Sequence, residues 1–210
     1  MALNVPVTSW TAIIPVRSLT EGKSRLDAPE VDTAALAAAF LTDLIAACSQ
    51  CAAIDQVVVV SPDPAVHALA AELGARAVTE GSASGINDAI EKVRRELPEG
   101  TPVVAILGDT PCLNPNVLDE VLGSVGAHAT AFVPDTAGTG STLWCSTDPE
   151  ARSHFGAHSR AKHRRAGAFE LGSGNTTTIW ARARRDVDTA VDLWDATRLG
   201  VGPATYKALG

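Results

Sequence analysis

Aromatic residues make up only 4% of the 210-residue chain, although 46% of it is apolar. That scarcity argues against an aromatic-rich β-barrel. The alanine that dominates the apolar content suits helices packed closely on a sheet. Cations are also few: 17 Lys and Arg stand against 24 Asp and Glu, a net charge of -7. Without a broad basic surface, nucleic acid is not an expected partner, and phosphate binding requires the few cations to gather in one place. No cationic region precedes the apolar part of the opening MALNVPVTSWTAIIPV, so no secretory signal is expected. No run is expected to span a membrane. Of the four cysteines, Cys48 and Cys51 form a C-x-x-C late in an alanine-rich helical stretch. Two further ligands at zinc spacing are missing, so the pair reads as small residues on one helix face. The expected setting is the reduced cytoplasm.

What is present is an alternation of strand and helix patterns. Strands are predicted at Thr11 to Val16, Val57 to Val60, Arg76 to Val78, Val103 to Leu107, Ala129 to Val133, Thr142 to Cys145 and Thr176 to Ala181. Helices are predicted at Thr33 to Ala47, Pro64 to Leu73, Ile86 to Leu97, Pro115 to Val125, Arg160 to Ala166 and Asp188 to Thr197. Short connections between such elements imply an α/β fold with a mostly parallel sheet covered on both faces. With no repeat, low-complexity tract or linker, a single domain over residues 1–210 is the simplest organisation. Sheets of this kind bind ligands beyond the carboxyl ends of their strands, so polar residues just after strands matter most.

Five segments carry candidate chemistry. Ile14 to Leu26 runs from a buried strand into a loop with Arg17, Lys23 and Arg25. Three cations there suit a triphosphate, although an ordinary basic surface loop has the same composition. The loop is not a P-loop, since G-x-x-x-x-G-K-S/T is absent, and G-x-G-x-x-G is absent too. Next, Ala105 to Pro111 ends an apolar strand in Gly108-Asp109. The glycine lets a ligand approach, and the carboxylate suits Mg²⁺, which takes one or two carboxylates plus substrate phosphate oxygens. In Arg185-Asp186-Val187-Asp188-Thr189 the two carboxylates point to opposite sides if extended, so only one can join Asp109; Asp188 is equally a helix N-cap candidate. Asn87, in Gly85-Ile86-Asn87, can donate and accept together as a purine edge requires, or can cap the helix. Finally, Gly138 to Thr142 and Phe155 to Ser159 combine glycines with hydroxyls. Ser159 is placed to cap a helix carrying Arg160, Lys162, His163, Arg164 and Arg165, where a solvated basic face and a small-anion pocket are both open.

Taken together and in this order, Lys23 to Leu26, Gly108-Asp109-x-Pro111, Gly138 to Thr142, Phe155-Gly156-x-x-Ser159 with His163, and Asp186-Val187-Asp188-Thr189 resemble the 2-phospho-L-lactate guanylyltransferases. That family includes the actinobacterial phosphoenolpyruvate guanylyltransferases and serves biosynthesis of the deazaflavin coenzyme F-420. The resemblance spans nearly the whole chain. It implies a nucleotidyltransferase fold like that of the molybdenum-cofactor guanylyltransferases. It further implies that GTP lies on Lys23, with Arg17, Arg25 and Gly108 nearby and Gly85-x-Asn87 toward the base. Mg²⁺ is then held by Asp109 and Asp188. The acid, phosphoenolpyruvate or 2-phospho-L-lactate, is held by Ser141 or Thr142 together with Gly156 and Ser159. Two departures stand out: Arg17 replaces a usual lysine, and Thr110 precedes Pro111 where leucine is commoner. The rival readings are another phosphorylated acceptor (3-phosphoglycerate, a sugar phosphate, a molybdopterin) and a nucleotide-binding subunit without activity. A homodimer, and direct handover of the product to the next pathway enzyme, are left open.

Overall fold

The computed structural model describes residues 9–20, 32–81 and 85–210. The strands are β1 (Trp10–Pro15), β2 (Ile54–Ser61), β3 (Arg76–Thr79), β4 (Val103–Ile106), β5 (Thr130–Pro134), β6 (Ser141–Ser146) and β7 (Phe169–Glu170). They form a sheet in the order β3-β2-β1-β4-β6-β5-β7. β6 runs antiparallel to β4 and β5, and the other pairings are parallel.

Strand residues alternate between the two faces as the pleat demands. Ala12 and Ile14, Val57 and Val59, and Val104 and Ile106 share one core with the helices α1 (Thr33–Gln50) and α4 (Pro115–Val125). Ile13, Val58, Val60, Val103 and Ala105 face the opposite side, where α3 (Ile86–Glu96) packs Ala89, Ile90 and Val93 on them. Burial on both faces explains why these strands read as continuous apolar runs. α1 is in fact long and apolar enough to cross a membrane, contrary to the expectation that no run is; half of it is buried within the fold.

Helix starts follow short polar side chains. Asp32 accepts from the N–H groups of Ala34 and Ala35 at 3.0 and 3.1 Å, opening α1. Asp63 precedes Pro64 at the start of α2 (Pro64–Glu72), and Asn114 precedes Pro115 at the start of α4. The closing helix α7 (Ala190–Leu199) is capped by Thr189, in a capping box with Asp192, rather than by Asp188. An unforeseen helix, α8 (Pro203–Ala208), follows it. Its N-terminus is capped across the fold by the buried Asp43 of α1, at 2.9 Å from Ala204 N and 2.8 Å from Thr205 N. That contact needs Gly202, where a Cβ would lie 2.2 Å from Asp43 Cγ.

Two further expectations change. Thr176 to Ala181 is not a strand: α6 (Thr178–Ala183) occupies it, burying Trp180 and Ala183 one turn apart. Trp180 packs directly over Gly172, where a Cβ would lie 2.3 Å from the indole. Tertiary packing thus overrides the β-branched composition, and Phe169–Glu170 takes the edge beside β5. Ser159 is not a cap either. It is the first residue of α5 (Ser159–Arg165), behind His158 in the left-handed conformation.

The four cysteines are free and buried. Cys48 lies in α1 and Cys51 ends it, donating its thiol to Asp119 at 3.0 Å. Burial, then the Asp119 hydrogen bond, pushes Cys51 up to about 12, as suits inert structural thiols.

Candidate active site

β1 and β4 lie side by side and parallel, so Val16-Arg17-Ser18 and Leu107-Gly108-Asp109 leave the sheet at the same end. Between them opens a cleft of about 220 Å³, with Pro15, Val16, Leu41, Ile86 and Leu107 on its walls and Arg17 and Asp109 among its polar groups. A Cβ on Gly108 would lie 3.1 Å from Val16 Cγ2, so a larger residue would press on the outgoing β1 segment. The first loop is pinned by Asp63, which accepts from Ser18 Oγ at 2.9 Å while capping α2 through Ala65 N at 2.9 Å. Lys23 and Arg25 lie outside the described residues.

The acidic residues meet because the chain is anchored between them. Val187 is wholly buried with Leu36, Phe40, Cys112, Leu193 and Ala196. Its N–H donates to the Asp109 carbonyl at 3.0 Å. Asp186 and Asp188 flank this plug, Asp186 half-buried and Asp188 exposed. Burial above all, and then Asp109, Asp135 and Asp188, push Asp186 up to about 7. Asp186, the alternative to Asp188 as the partner of Asp109, is thus coupled to both of them and to Asp135. Asp135 is not among the sequence candidates: it accepts from Thr139 N at 2.9 Å and Gly140 N at 2.7 Å, at the end of β5. Its signal in the sequence was a lone carboxylate between a strand and a glycine turn.

Among the described residues no three His, Cys, Asp or Glu side chains form a ready cage for a metal. The donors here are all carboxylate oxygens whose mutual repulsion a cation relieves. That fits a hard ion such as Mg²⁺, which needs few protein ligands when it arrives with phosphate oxygens.

Next to this acidic pole stands a hydroxyl pair. Ser141 opens β6, and its Oγ lies 2.8 Å from Ser159 Oγ and 3.2 Å from His163 Nδ1. Gly140 separates the two centres: a Cβ there would lie 2.3 Å from Asp135 Oδ2 and 3.7 Å from Ser159 Oγ. Ser141 and Thr142 take different partners. The Thr142 hydroxyl donates to the Ala183 carbonyl at 2.7 Å, wholly buried, and so does not join the pair. Gly156 has a φ of 110°, which glycine adopts freely, and its carbonyl accepts from Ser159 N at 3.0 Å.

Asn87 has a different place from the one expected. Its Oδ1 accepts from Phe155 N at 2.8 Å and Ser153 Oγ at 3.0 Å, and its Nδ2 donates to the Phe155 carbonyl at 3.0 Å. The side chain ties α3 to the turn that carries Gly156 and Ser159. From Gly85-Ile86-Asn87 it is Ile86 that lines the cleft.

His163 lies behind the hydroxyl pair, against Ser141. It is wholly buried, with the Phe132 and Phe155 ring centres 5.2 and 5.5 Å away. Its Nε2 accepts from His154 N at 2.8 Å. Burial, then His154, draws it down to about 4, so the imidazole is neutral. The basic run of α5 is partly structural. Arg160 clamps Glu170 of β7 through two bonds at 2.9 and 2.8 Å, and Arg164 reaches the same carboxylate at 3.1 Å.

The chain is similar to known proteins over nearly its whole length. A phosphoenolpyruvate guanylyltransferase from Streptomyces scabiei is 41% identical over 209 residues, covering 95% of each chain. One from Mycolicibacterium smegmatis is 37% identical over 202 residues, covering 94% of this chain and 89% of that one. The solved structure of a nucleotidyl transferase from Methanothermobacter thermautotroptrophicus superposes with a TM-score of 0.59 at 12% identity, covering 90% of this chain and 97% of that one, and shares the fold. The family model for guanylyl transferases of the CofC-like type matches residues 10–197, and with these relatives it establishes that the chain belongs to that family of nucleotidyltransferases.

Proposed function

We propose that the protein transfers GMP from GTP to the phosphate of phosphoenolpyruvate, releasing pyrophosphate, with 2-phospho-L-lactate as the tetrahedral counterpart. The observation that carries this reading is the contiguity of an acidic pole (Asp109, Asp186 and Asp188, coupled through Asp135) with a hydroxyl–glycine cluster (Ser141, Gly156 and Ser159) across Gly140, which lies between Asp135 and Ser159. The first suits a metal-bound triphosphate and the second a small anion.

In this reading the base and ribose lie along the cleft bounded by Val16, Ile86 and Leu107, with Arg17 at its mouth and Gly108 leaving room for the nucleotide. Lys23 and Arg25 follow Arg17 in the sequence, and the family resemblance assigns Lys23 to the triphosphate. Asp109 with Asp188, or with Asp186 in its place, would hold Mg²⁺, which would supply charge neutralisation on the phosphate oxygens. Ser141, Ser159 and the Gly156 turn hold the acid. An oxygen of its phosphate attacks the α-phosphorus in line, and the bond to the β-phosphate breaks, its electron pair leaving with pyrophosphate. The nucleophile is already anionic, so no general base is required. Catalysis is positioning and electrostatic stabilisation. The product, an anhydride of two phosphates, belongs in the pathway to coenzyme F-420, and free buried thiols suit the cytoplasm.

Pyrophosphate release from GTP and Mg²⁺ tests the reading, comparing phosphoenolpyruvate, 2-phospho-L-lactate, 3-phosphoglycerate and no acid. Release that requires one of the first two supports it. Release without any acid, or with 3-phosphoglycerate alone, overturns it.

A further inference from the structure

The hydrogen bonds around His163 can run in one direction only. A backbone N–H donates and cannot accept, so the His154 N–H at 2.8 Å makes His163 Nε2 an acceptor. A neutral imidazole with a bare Nε2 carries its proton on Nδ1, and Nδ1 lies 3.2 Å from Ser141 Oγ. Ser141 therefore accepts from His163, so neither hydroxyl hydrogen is drawn to the ring. The Ser141–Ser159 contact at 2.8 Å uses one of the pair's two hydrogens, whichever oxygen donates, and the other is left unspent. Among the described residues Ser141 is the only partner of the Ser159 hydroxyl. The chain from a main-chain amide to Ser159 is wholly buried or nearly so: His163 is 0% exposed, Ser141 4% and Ser159 1%.

We infer that His163 is a positioning residue for the acid: by donating to Ser141 it leaves the Ser141–Ser159 pair one unspent hydroxyl hydrogen to present to an anionic oxygen of the small phospho-acid. An imidazole with a bare Nδ1 would instead draw the Ser141 hydrogen inward and leave Ser159 to donate to Ser141, so that only lone pairs faced a carboxylate or phosphate oxygen. An imidazole locked in the Nδ1–H tautomer removes that arrangement. Phe132 and Phe155, packed around the ring, hold it in the plane that serves both bonds. The inference deepens the proposed transfer to a phospho-acid and rests on it.

Two substitutions separate the two bonds of the ring. His163→Gln places an amide at the Nε2 position, keeping an acceptor for His154 N–H and losing the donor to Ser141. His163→Asn places a donor at the Nδ1 position and loses the acceptor. The test measures KM for phosphoenolpyruvate and for GTP by pyrophosphate release in both variants, and the imidazole nitrogen NMR shifts of His163 in the unaltered protein. The expected result is an Nδ1–H tautomer, an acid KM raised roughly tenfold in His163→Gln with GTP KM unchanged, and an acid KM within about threefold in His163→Asn. An Nε2–H tautomer overturns the inference, and so does an unchanged acid KM in His163→Gln. Equal rises for acid and GTP in both variants overturn it too, because they mark a merely structural ring. Acid-independent release by the unaltered protein is a separate result, and it removes the substrate reading itself.

Discussion

The main-chain N–H of Val187 donates to the carbonyl oxygen of Asp109 at 3.0 Å. This one bond sets the chain of the D-x-D segment beside the end of β4, so carboxylates 77 to 79 positions apart in the sequence share one pole. Val187 itself is wholly buried, and its side chain fixes the register of its two neighbours.

Val187→Ala tests that anchor. Loss of two buried methyl groups costs about 1–3 kcal/mol in unfolding experiments. Turnover falls by more than the folded fraction does, because Asp186 and Asp188 lose their support. Turnover that simply follows the folded fraction would show that the plug has no bearing on the site.

Asp109→Asn removes charge at the end of β4 with little change of shape. Pyrophosphate release falls by about a hundredfold or more, the typical loss for a key electrostatic group. Near-normal turnover in a folded variant takes Asp109 out of the mechanism.

If the proposed Mg²⁺ sits at this acidic pole, its binding is expected to depend on pH through Asp186. Its folded value is raised from 3.8 to about 7, so metal-free protein near pH 6 holds a proton there that Mg²⁺ displaces. Mg²⁺ affinity falls by about tenfold per pH unit below that value and levels off above it, and calorimetry in buffers of different ionisation heat detects the released proton. The same shift bears on stability. The folded state holds the proton more tightly than the unfolded one, so metal-free stability is highest below 3.8 for this group and declines as pH rises through about 7. Asp186→Asn abolishes both the proton release and this part of the pH slope.

Asn87→Ala distinguishes a turn support from a base reader. Three hydrogen bonds to residues 153 and 155 are lost. The KM for the phospho-acid rises by about tenfold or more, and that for GTP changes by less than about threefold. A rise confined to GTP would return Asn87 to the base.

Thr142→Val and Ser141→Ala differ in their effect on the acid KM. Thr142→Val leaves the buried Ala183 carbonyl without its donor and costs about 1–3 kcal/mol of stability, with acid KM unchanged. Ser141→Ala leaves the buried His163 Nδ1–H without its acceptor and costs stability as well, but it raises the acid KM. Thermal unfolding and steady-state kinetics on the two purified variants decide this.

The sequence by itself determined the α/β architecture, because its buried parallel strands are continuous apolar runs with few other structural meanings. It also determined Asp109 at a strand's carboxyl end, the helix starts at Pro64 and Pro115, and the family, through motifs in fixed order. Tertiary structure decided what depends on partners distant in the chain. Thr178–Ala183 became a helix because Trp180 packs on Gly172, and α8 exists against the Asp43 carboxylate of α1. Ser141 and Thr142 are adjacent and chemically alike, yet the pleat sends one to Ser159 and the other to Ala183. Asn87 could donate and accept in either role, and only the proximity of Phe155 assigns its bonds. Local composition sets what a segment can do, whereas hydrogen-bond partners and charge coupling are set by neighbours that meet only after folding.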